Sequence, residues 1–105
     1  MQRGIEAPTR HDVSRRFPAP LTDVRFRLSD GYAADVVEVA GDFSAWAPIA
    51  MNRELDDGFI LDLQLETGRQ WRYRFLLDGQ RWMNDPDAKE FVTGPNGSAV
   101  SILET

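Results

Sequence analysis

Side chains that could perform acid–base, nucleophilic or metal chemistry are scarce in this chain of 105 residues. It has no cysteine and one histidine. That histidine, His11, falls in a segment with scattered prolines and arginines, where a general base would lack fixed geometry. Carboxylates stand close together at Asp56-Asp57 and at Asp85 and Asp87. We interpret both groups as turn residues with solvated charges, rather than as calcium ligands or a catalytic pair.

Recognisable catalytic motifs are also missing. The sequence has no Gly-rich phosphate loop, nucleophile elbow or metalloprotease helix motif. Glycoside hydrolysis needs two carboxyl groups opposed across a cleft, and a single small domain has little room to build one. We therefore predict a protein that binds rather than catalyses, with no catalytic residues, no metal site and no cofactor.

Aromatic side chains carry the remaining chemistry, since three tryptophans are many for a chain of this length. Trp71 alternates in register with Phe75, which predicts a position in or beside the core. Trp46 instead stands in the loop of residues 41–48, where a large aromatic side chain is exposed unless it packs against or binds something. We expect Phe43 to anchor this loop in the domain and Trp46 to lie outside.

The side of the sheet that Trp82 occupies depends on the register of a hairpin. A two-residue Asp78-Gly79 turn places Trp82 opposite Phe75, facing the core. A three-residue loop of residues 77–79 pairs it with Arg74 instead, and both then face outward. We favour the three-residue loop, because the shorter turn adds a third large aromatic side chain to one face.

An exposed pair of tryptophans beside an arginine suits a carbohydrate. The C–H faces of a pyranose ring stack on indole, and its hydroxyl groups need hydrogen-bond donors and acceptors. Arg74 offers fixed donors, and Asn84 or Asn96 offers both donors and acceptors. The alternative is that Trp46 and Trp82 only cover the end of the domain, since tryptophan is commonly buried.

Alternation of apolar with polar residues predicts the elements that position these side chains. It marks strands at residues 24–28, 37–39, 59–65, 71–77 and 100–103, with a short edge strand at 51–55 and mostly loop at 84–98. No stretch has a helical apolar repeat of helical length. Six or seven short antiparallel strands at roughly ten-residue spacing predict an all-β sandwich of immunoglobulin-like architecture.

The N-terminal segment differs in composition from the rest of the chain. Residues 1–20 hold three prolines and four arginines, and we expect a flexible arm before a domain of residues 21–105. The net charge of the chain is −5, and because residues 1–20 carry +2, the domain carries −7, which disfavours nucleic acid as a partner. The sequence has neither a polybasic patch nor an apolar run long enough to span a bilayer, and we therefore do not expect it to bind a membrane. A sequence without cysteine or a secretory signal favours a cytoplasmic protein.

Two runs of the sequence resemble a known family. They are VEVAGDFSAW at residues 37–46 and YRFLLDGQRW at residues 73–82, the second followed by NDP at 84–86. In order and spacing they are similar to the signatures of carbohydrate-binding module family 48. That family includes the glycogen-binding domain of the AMP-activated kinase β subunit and the N-terminal early-set domains of branching and debranching enzymes such as isoamylase.

The resemblance, which extends from about Val24 to Leu103, implies a fold and a ligand. Members that bind glycogen stack glucose units of an α-1,4-linked glucan on two tryptophans, which correspond here to Trp46 and Trp82. A basic residue on the strand before the hairpin contacts the sugar, and Arg74 occupies that position.

Some positions depart from the family pattern. A residue of the loop before the last strand pushes into the ring of the glucan, and Asn96 stands near that position, where the kinase domain has an apolar residue. Val100 or Ser101 stands where glycogen-binding members have an asparagine. Ser44-Ala45 stands where the first signature commonly has Asn-Asn.

Two functions follow from these patterns. The first is non-catalytic binding of a glycogen-like or starch-like α-glucan, with a glycogen-metabolism enzyme or a regulatory protein as a further partner. The second is an adaptor that uses the same fold and an exposed aromatic patch for a protein partner, without binding sugar. Exposure of both tryptophans favours the first function, whereas burial of either one, or a wide flat apolar patch, favours the second.

Overall fold

The computed structural model describes residues 19–56, 58–94 and 97–105. Residues 1–18 of the predicted arm, which include His11, lie outside the described residues, as do Asp57 and Asn96.

Two short 3-10 turns, Asp30–Tyr32 and Asp42–Ser44, interrupt the strands. The described residues form nine strands: β1 Leu21–Leu28, β2 Val37–Gly41, β3 Ile49–Ala50, β4 Asn52–Glu54, β5 Gly58–Glu66, β6 Gln70–Leu77, β7 Arg81–Met83, β8 Glu90–Thr93 and β9 Ala99–Glu104.

These strands form two antiparallel sheets. The smaller sheet has the order β1-β5-β4, and the larger has the order β3-β2-β6-β9-β8, with β7 also paired to β6. The β-sandwich predicted from the alternation of apolar residues is confirmed. The described part of the chain has no helix with the length and apolar character needed to cross a membrane.

The core lies between the two sheets and is rich in aromatic rings. Phe26 of β1 packs against Tyr73 of β6, with ring centroids 5.2 Å apart, and Tyr73 packs edge-on against Phe75 at 6.1 Å. Trp71 is only 6% exposed, which confirms its predicted place in the core. The remaining buried members are aliphatic or aromatic residues from both sheets: Leu28, Ala34, Val37, Val39, Met51, Phe59, Leu65 and Leu77.

The opposite side of the larger sheet, which we call the outer face, is formed by the alternate residues of its strands. On β2 and β6 these residues are Glu38, Ala40, Arg72, Arg74 and Leu76, because their neighbours along each strand point into the core. Cross-strand pairing adds the residues that stand directly opposite them or continue their rows, since such residues share a face. These are Ala50, Trp82, Val92, Val100 and Ile102.

The structure adds two short strands, β8 and β3, to those that the sequence predicted, although the described residues of 84–98 are otherwise mostly loop, as predicted. Residues 84–98 contain β8, which pairs with β9 from Glu90↔Ile102 to Thr93↔Ala99. All four residues of β8 are exposed, so the strand carries no apolar alternation and its turn-rich surroundings hide it. The edge strand predicted at residues 51–55 is confirmed as β4, and a second short strand, β3, precedes it on the other side of Met51. There the chain passes from the larger sheet to the smaller one.

The register of the β6–β7 hairpin also differs from both registers considered above. Leu77 pairs with Arg81 and Leu76 with Trp82, so residues 78–80 form the three-residue loop. The carboxylate of Asp78 accepts the backbone N–H groups of residues 35 and 36, each at 2.9 Å, and this fixes Asp78 as the first loop residue. Trp82 does not pair with Arg74, but it lies on the predicted outer face, because Leu76 and Arg74 share that face.

Candidate binding surface

The loop between β2 and β3 holds Trp46 in an unusual backbone conformation. Ala45 and Trp46 have φ angles of 52° and 64°, a left-handed region that bulky residues rarely adopt. Two sets of hydrogen bonds hold it there. The Trp46 N–H donates to the Gly41 carbonyl at 2.9 Å. The Ser44 hydroxyl accepts the Gly41 N–H at 3.3 Å and donates to the Ala47 carbonyl at 2.8 Å. Ser44 stands at one of the two positions where the family signature commonly has asparagine, and its hydroxyl makes the hydrogen bonds that close the loop.

The base of this loop allows only glycine at position 41. A Cβ on Gly41 would lie 2.5 Å from the Arg72 carbonyl oxygen, 2.7 Å from the Phe43 ring and 2.8 Å from the Tyr73 Cβ. Because the φ angle of Gly41 is −170°, which any residue can adopt, the requirement is for space and not for backbone freedom. The close approach of β2 to β6 at Gly41 brings the loop directly over Arg72.

Phe43 attaches the loop to the core, as the sequence predicted. Its ring lies 5.2 Å from the Phe26 ring and 6.3 Å from the Trp71 ring, centroid to centroid. The side chain is only partly buried and packs against the core cluster. Trp46 is 37% exposed and therefore lies at the surface. Its loop is held by the backbone hydrogen bonds described above and by the packing of Phe43 against the core.

Asp42 links the Trp46 indole to β6. Its carboxylate accepts the indole N–H of Trp46 at 3.1 Å, the backbone N–H of Arg72 at 2.8 Å and the Nε of Arg72 at 3.2 Å. Burial alone would raise the pKa of Asp42, but these hydrogen bonds and the Arg72 charge outweigh it, so the pKa lies below its ordinary value. The carboxylate thus fixes the plane of the Trp46 ring and the guanidinium beside it.

Trp82, at the other end of the outer face, stands on a hairpin that is fastened to the segment before β2. The Asp78 N–H donates to the Val36 carbonyl at 2.8 Å, in addition to the two bonds that its carboxylate accepts. The Arg81 guanidinium donates to the Tyr32 carbonyl at 3.2 Å. Trp82 is 48% exposed, so a firmly held hairpin presents a largely open indole ring.

Arg74 and Asn84, both predicted to contact a ligand, converge on one backbone group. Each donates a hydrogen bond to the carbonyl of Ala99, the asparagine at 2.8 Å. The Asn84 carbonyl also accepts the Ser101 N–H at 3.1 Å, so this amide joins the end of β7 to β9. Arg74 is half-buried on the outer face, and its donors toward solvent lie between the two tryptophans. Asn96 falls outside the described residues, and the sugar contacts of all these side chains stay predictions.

A groove of about 510 Å³ runs beside Trp46 across the outer face. Arg72, Val92 and Val100 line it together with Thr93 and Gly94. Arg72, Val92 and Val100 belong to the outer face. Because Trp46 lines the same groove as these three residues, its ring lies over the outer face and not at the edge of the sandwich. Trp46 and Trp82 therefore flank one continuous surface, with the two arginines of β6 between them.

Comparison with known protein families identifies the domain. A family model described as the glycogen recognition site of AMP-activated protein kinase matches residues 23–105. The chain belongs to this family. No curated protein matches the chain significantly. Membership of the glycogen-recognition family supports carbohydrate binding by the sandwich described above.

One departure from the glycogen-recognition pattern has a clear structural setting. Ser101 is fully buried, and its hydroxyl accepts the Asp85 N–H at 2.8 Å. Val100 is buried on the outer face and lines the groove beside Trp46. If Val100 stands for the family's asparagine, then an apolar wall replaces a polar contact at this end of the surface.

The Asp85 and Asp87 pair forms part of the framework beneath the surface. The Tyr73 hydroxyl donates to the Asp85 carboxylate at 2.7 Å, and the Asp87 N–H donates to the same carboxylate at 2.8 Å. Burial, together with the hydrogen bond to Asp85, raises the pKa of Tyr73 well above its ordinary value. Among the described residues, no group of three His, Cys, Asp or Glu side chains could hold a metal ion.

Asp42 and Arg72 are the residues of this surface that the sequence analysis missed. Arg72 has a local signal, because it alternates in register with Arg74 and therefore shares its face. Asp42 has none, since its partner on β6 lies 30 residues away and only the fold brings the two together.

Proposed function

We propose that this domain binds α-1,4-linked glucan without catalysing a reaction, by stacking glucose units on Trp46 and Trp82. The observation that carries the proposal is the exposure of both indole rings on one face of a glycogen-recognition domain. Each ring stands on a loop held by several hydrogen bonds, so little conformational freedom is lost when a sugar stacks on it.

The dimensions of the outer face suit an oligosaccharide. Trp82 stands opposite Leu76, and Trp46 overhangs Arg72. At about 3.3 Å per residue, the four-residue step along β6 between these points is roughly 13 Å. A chain of several pyranose rings spans this distance, whereas a single ring does not.

Polar groups between the indole rings complement the hydroxyl groups of a sugar. Arg72 and Arg74 offer guanidinium N–H donors in a planar, fixed arrangement. Each guanidinium is anchored on one side, Arg72 by Asp42 and Arg74 by Ala99. This leaves the remaining N–H groups oriented for a ligand.

Two stacked rings and a few hydrogen bonds support weak binding at a single site. Each stacking contact contributes about 1–2 kcal/mol by analogy with other aromatic contacts, and association costs leave a Kd in the micromolar to millimolar range. Such affinity suffices to localise a protein on a polymer with many chain ends. A cytoplasmic enzyme or regulator of glycogen metabolism is the partner that this localisation serves.

An adaptor function is the second candidate, and one observation favours it. The edge strand β8 exposes Phe91 and Val92, 48% and 42% respectively. An exposed edge with apolar side chains is a site where a protein partner can add a strand. The shortness of β8, the charge of its first residue Glu90 and the glycine that follows it, Gly94, disfavour extensive pairing, so we place this function second.

Isothermal calorimetry with maltoheptaose distinguishes the two functions. Saturable heat of maltoheptaose binding, reduced when glycogen is added as a competitor, supports the glucan site. A folded domain that shows no heat up to millimolar maltoheptaose contradicts it and leaves β8 as the surface to test.

A further inference from the structure

Glu38 is the acidic residue that β2 presents on the outer face, and among the described residues its carboxylate has no partner. It stands on the same side of the larger sheet as Arg74 and Leu76. No hydrogen bond or ion pair joins its side chain to any described residue. The residue is half-buried.

The position of Glu38 relative to Trp82 is fixed by strand pairing. Glu38 stands directly opposite Leu76, and Leu76 stands directly opposite Trp82. With neighbouring strands about 4.8 Å apart, the Cα atoms of Glu38 and Trp82 are roughly 10 Å apart in one cross-strand row. Leu76 between them is only 8% exposed, so it forms an apolar floor flanked by an indole ring and a carboxylate.

The cations of this face are committed elsewhere. Arg72 pairs with Asp42, and Arg74 donates to the Ala99 carbonyl. On the far side of Glu38 the sheet offers only Ala50, which has no polar side-chain atom. The carboxylate is therefore directed to a ligand or to solvent, and not to an ion pair within the domain.

The chemistry of this arrangement matches a sugar better than it matches a protein surface. A carboxylate only accepts hydrogen bonds, through two oxygens with about four lone-pair sites, and two adjacent hydroxyl groups of a pyranose present donors at a similar separation. The neighbouring apolar floor suits the C–H edge of the same ring. Stacking on Trp82 orients one glucose unit, and the carboxylate accepts hydrogen bonds from the hydroxyl groups of the neighbouring unit.

We propose that Glu38 is a further sugar-binding residue, whose carboxylate accepts hydrogen bonds from vicinal hydroxyl groups of a glucose unit beside the one stacked on Trp82. This inference rests on the proposed glucan function and extends the surface from β6 across β2. It also assigns a specificity, because a glucan whose hydroxyl groups are substituted at this unit loses the contact.

The test measures maltoheptaose binding by calorimetry for the wild type, Glu38→Gln and Glu38→Ala. Both variants are expected to weaken binding about tenfold to a hundredfold, the range for loss of a hydrogen bond to a charged group. Glu54→Gln is the matched control, since Glu54 is an exposed glutamate on β4 of the smaller sheet, and it is expected to bind as the wild type does.

A second measurement separates a sugar contact from a structural role. Thermal unfolding of Glu38→Gln is expected at the wild-type temperature or slightly above it, because no intramolecular bond is lost. Binding of fully O-methylated β-cyclodextrin, which lacks hydroxyl donors, is expected to differ less than twofold between the wild type and Glu38→Gln.

Failure of this inference differs from failure of the proposed function. If the wild type does not bind maltoheptaose, the glucan site itself is overturned. If the wild type binds and both Glu38 variants bind within twofold of it, the glucan site stands and the role of Glu38 is overturned. A lower unfolding temperature for both variants also contradicts the assignment.

Discussion

The indole Nε1 of Trp46 donates a hydrogen bond to the Asp42 carboxylate at 3.1 Å. The two residues belong to one short loop, yet the same carboxylate also accepts the backbone N–H of Arg72 on β6 at 2.8 Å. The orientation of an exposed ring is therefore tied to the frame of the larger sheet. A left-handed backbone at Trp46 is costly, and such cost at an exposed aromatic residue is typical of a ligand-binding position.

Removal of either exposed indole is expected to reduce glucan binding without unfolding the domain. Trp46→Ala and Trp82→Ala should each weaken maltoheptaose binding at least about tenfold, because each removes a stacking surface and its water exclusion. Calorimetry measures the affinity, and circular dichroism measures the fold. Leu55→Ala is the control, since Leu55 is exposed at the turn between β4 and β5. An unfolded variant would show that the residue belongs to the core, which contradicts the site.

The Asp42 carboxylate is expected to contribute both to the stability of the domain against acid and to its affinity for glucan. Its pKa is depressed in the folded domain, so its contribution to stability is complete above about pH 4 and is lost as the pH falls through the folded value. Asp42→Asn should therefore flatten the loss of stability below about pH 4. It should also weaken glucan binding at neutral pH about threefold to fivefold, because the Trp46 ring and Arg72 lose their common anchor.

Asp62 provides the matched control for Asp42. Hydrogen bonds from Arg25 depress its pKa as well, but it lies on β5 in the smaller sheet. Asp62→Asn should change acid stability only slightly, since the pair is exposed, and should leave glucan affinity at the wild-type value. Equal affinities for the Asp42 and Asp62 variants would show that Asp42 has no positioning role.

The sequence predicted the parts of the fold that depend on local pattern. Trp71 in the core, Phe43 as the anchor of its loop and Trp46 at the surface all follow from residues within a few positions of each other. Alternation alone places Arg74 on one face of β6, because a strand has only two faces. These predictions needed no knowledge of which strands pair.

Long-range contacts decide the features that the sequence did not predict. Asp78 fixes the hairpin register through N–H groups 42 and 43 residues away, and no property of the hairpin itself indicates this. β8 is stabilised by pairing with β9, not by burial of its own side chains. Glu38 looks like an ordinary solvated charge until the pairing places it in line with Trp82.

Gly41 is expected to be essential for the fold rather than for sugar contact. Gly41→Ala places a Cβ against the backbone of β6 and the Phe43 ring, and the shift needed to relieve this should lower the free energy of unfolding by about 1–3 kcal/mol. Gly31→Ala is the control, because its Cβ would meet only the Ser29 hydroxyl at 3.9 Å. Chemical denaturation measures both variants. Similar stabilities for the two would contradict the close approach of β2 and β6.

Asn84 has two possible roles that a single variant separates. Its amide joins β7 to β9 through Ala99 and Ser101, and the loss of these bonds in Asn84→Ala should destabilise the domain by about 1–3 kcal/mol, because the N–H group of the buried Ser101 loses its acceptor. Maltoheptaose affinity, measured where the variant is fully folded, should then fall less than in Trp82→Ala. An unchanged free energy of unfolding with a tenfold loss of affinity would instead show that Asn84 acts on the ligand.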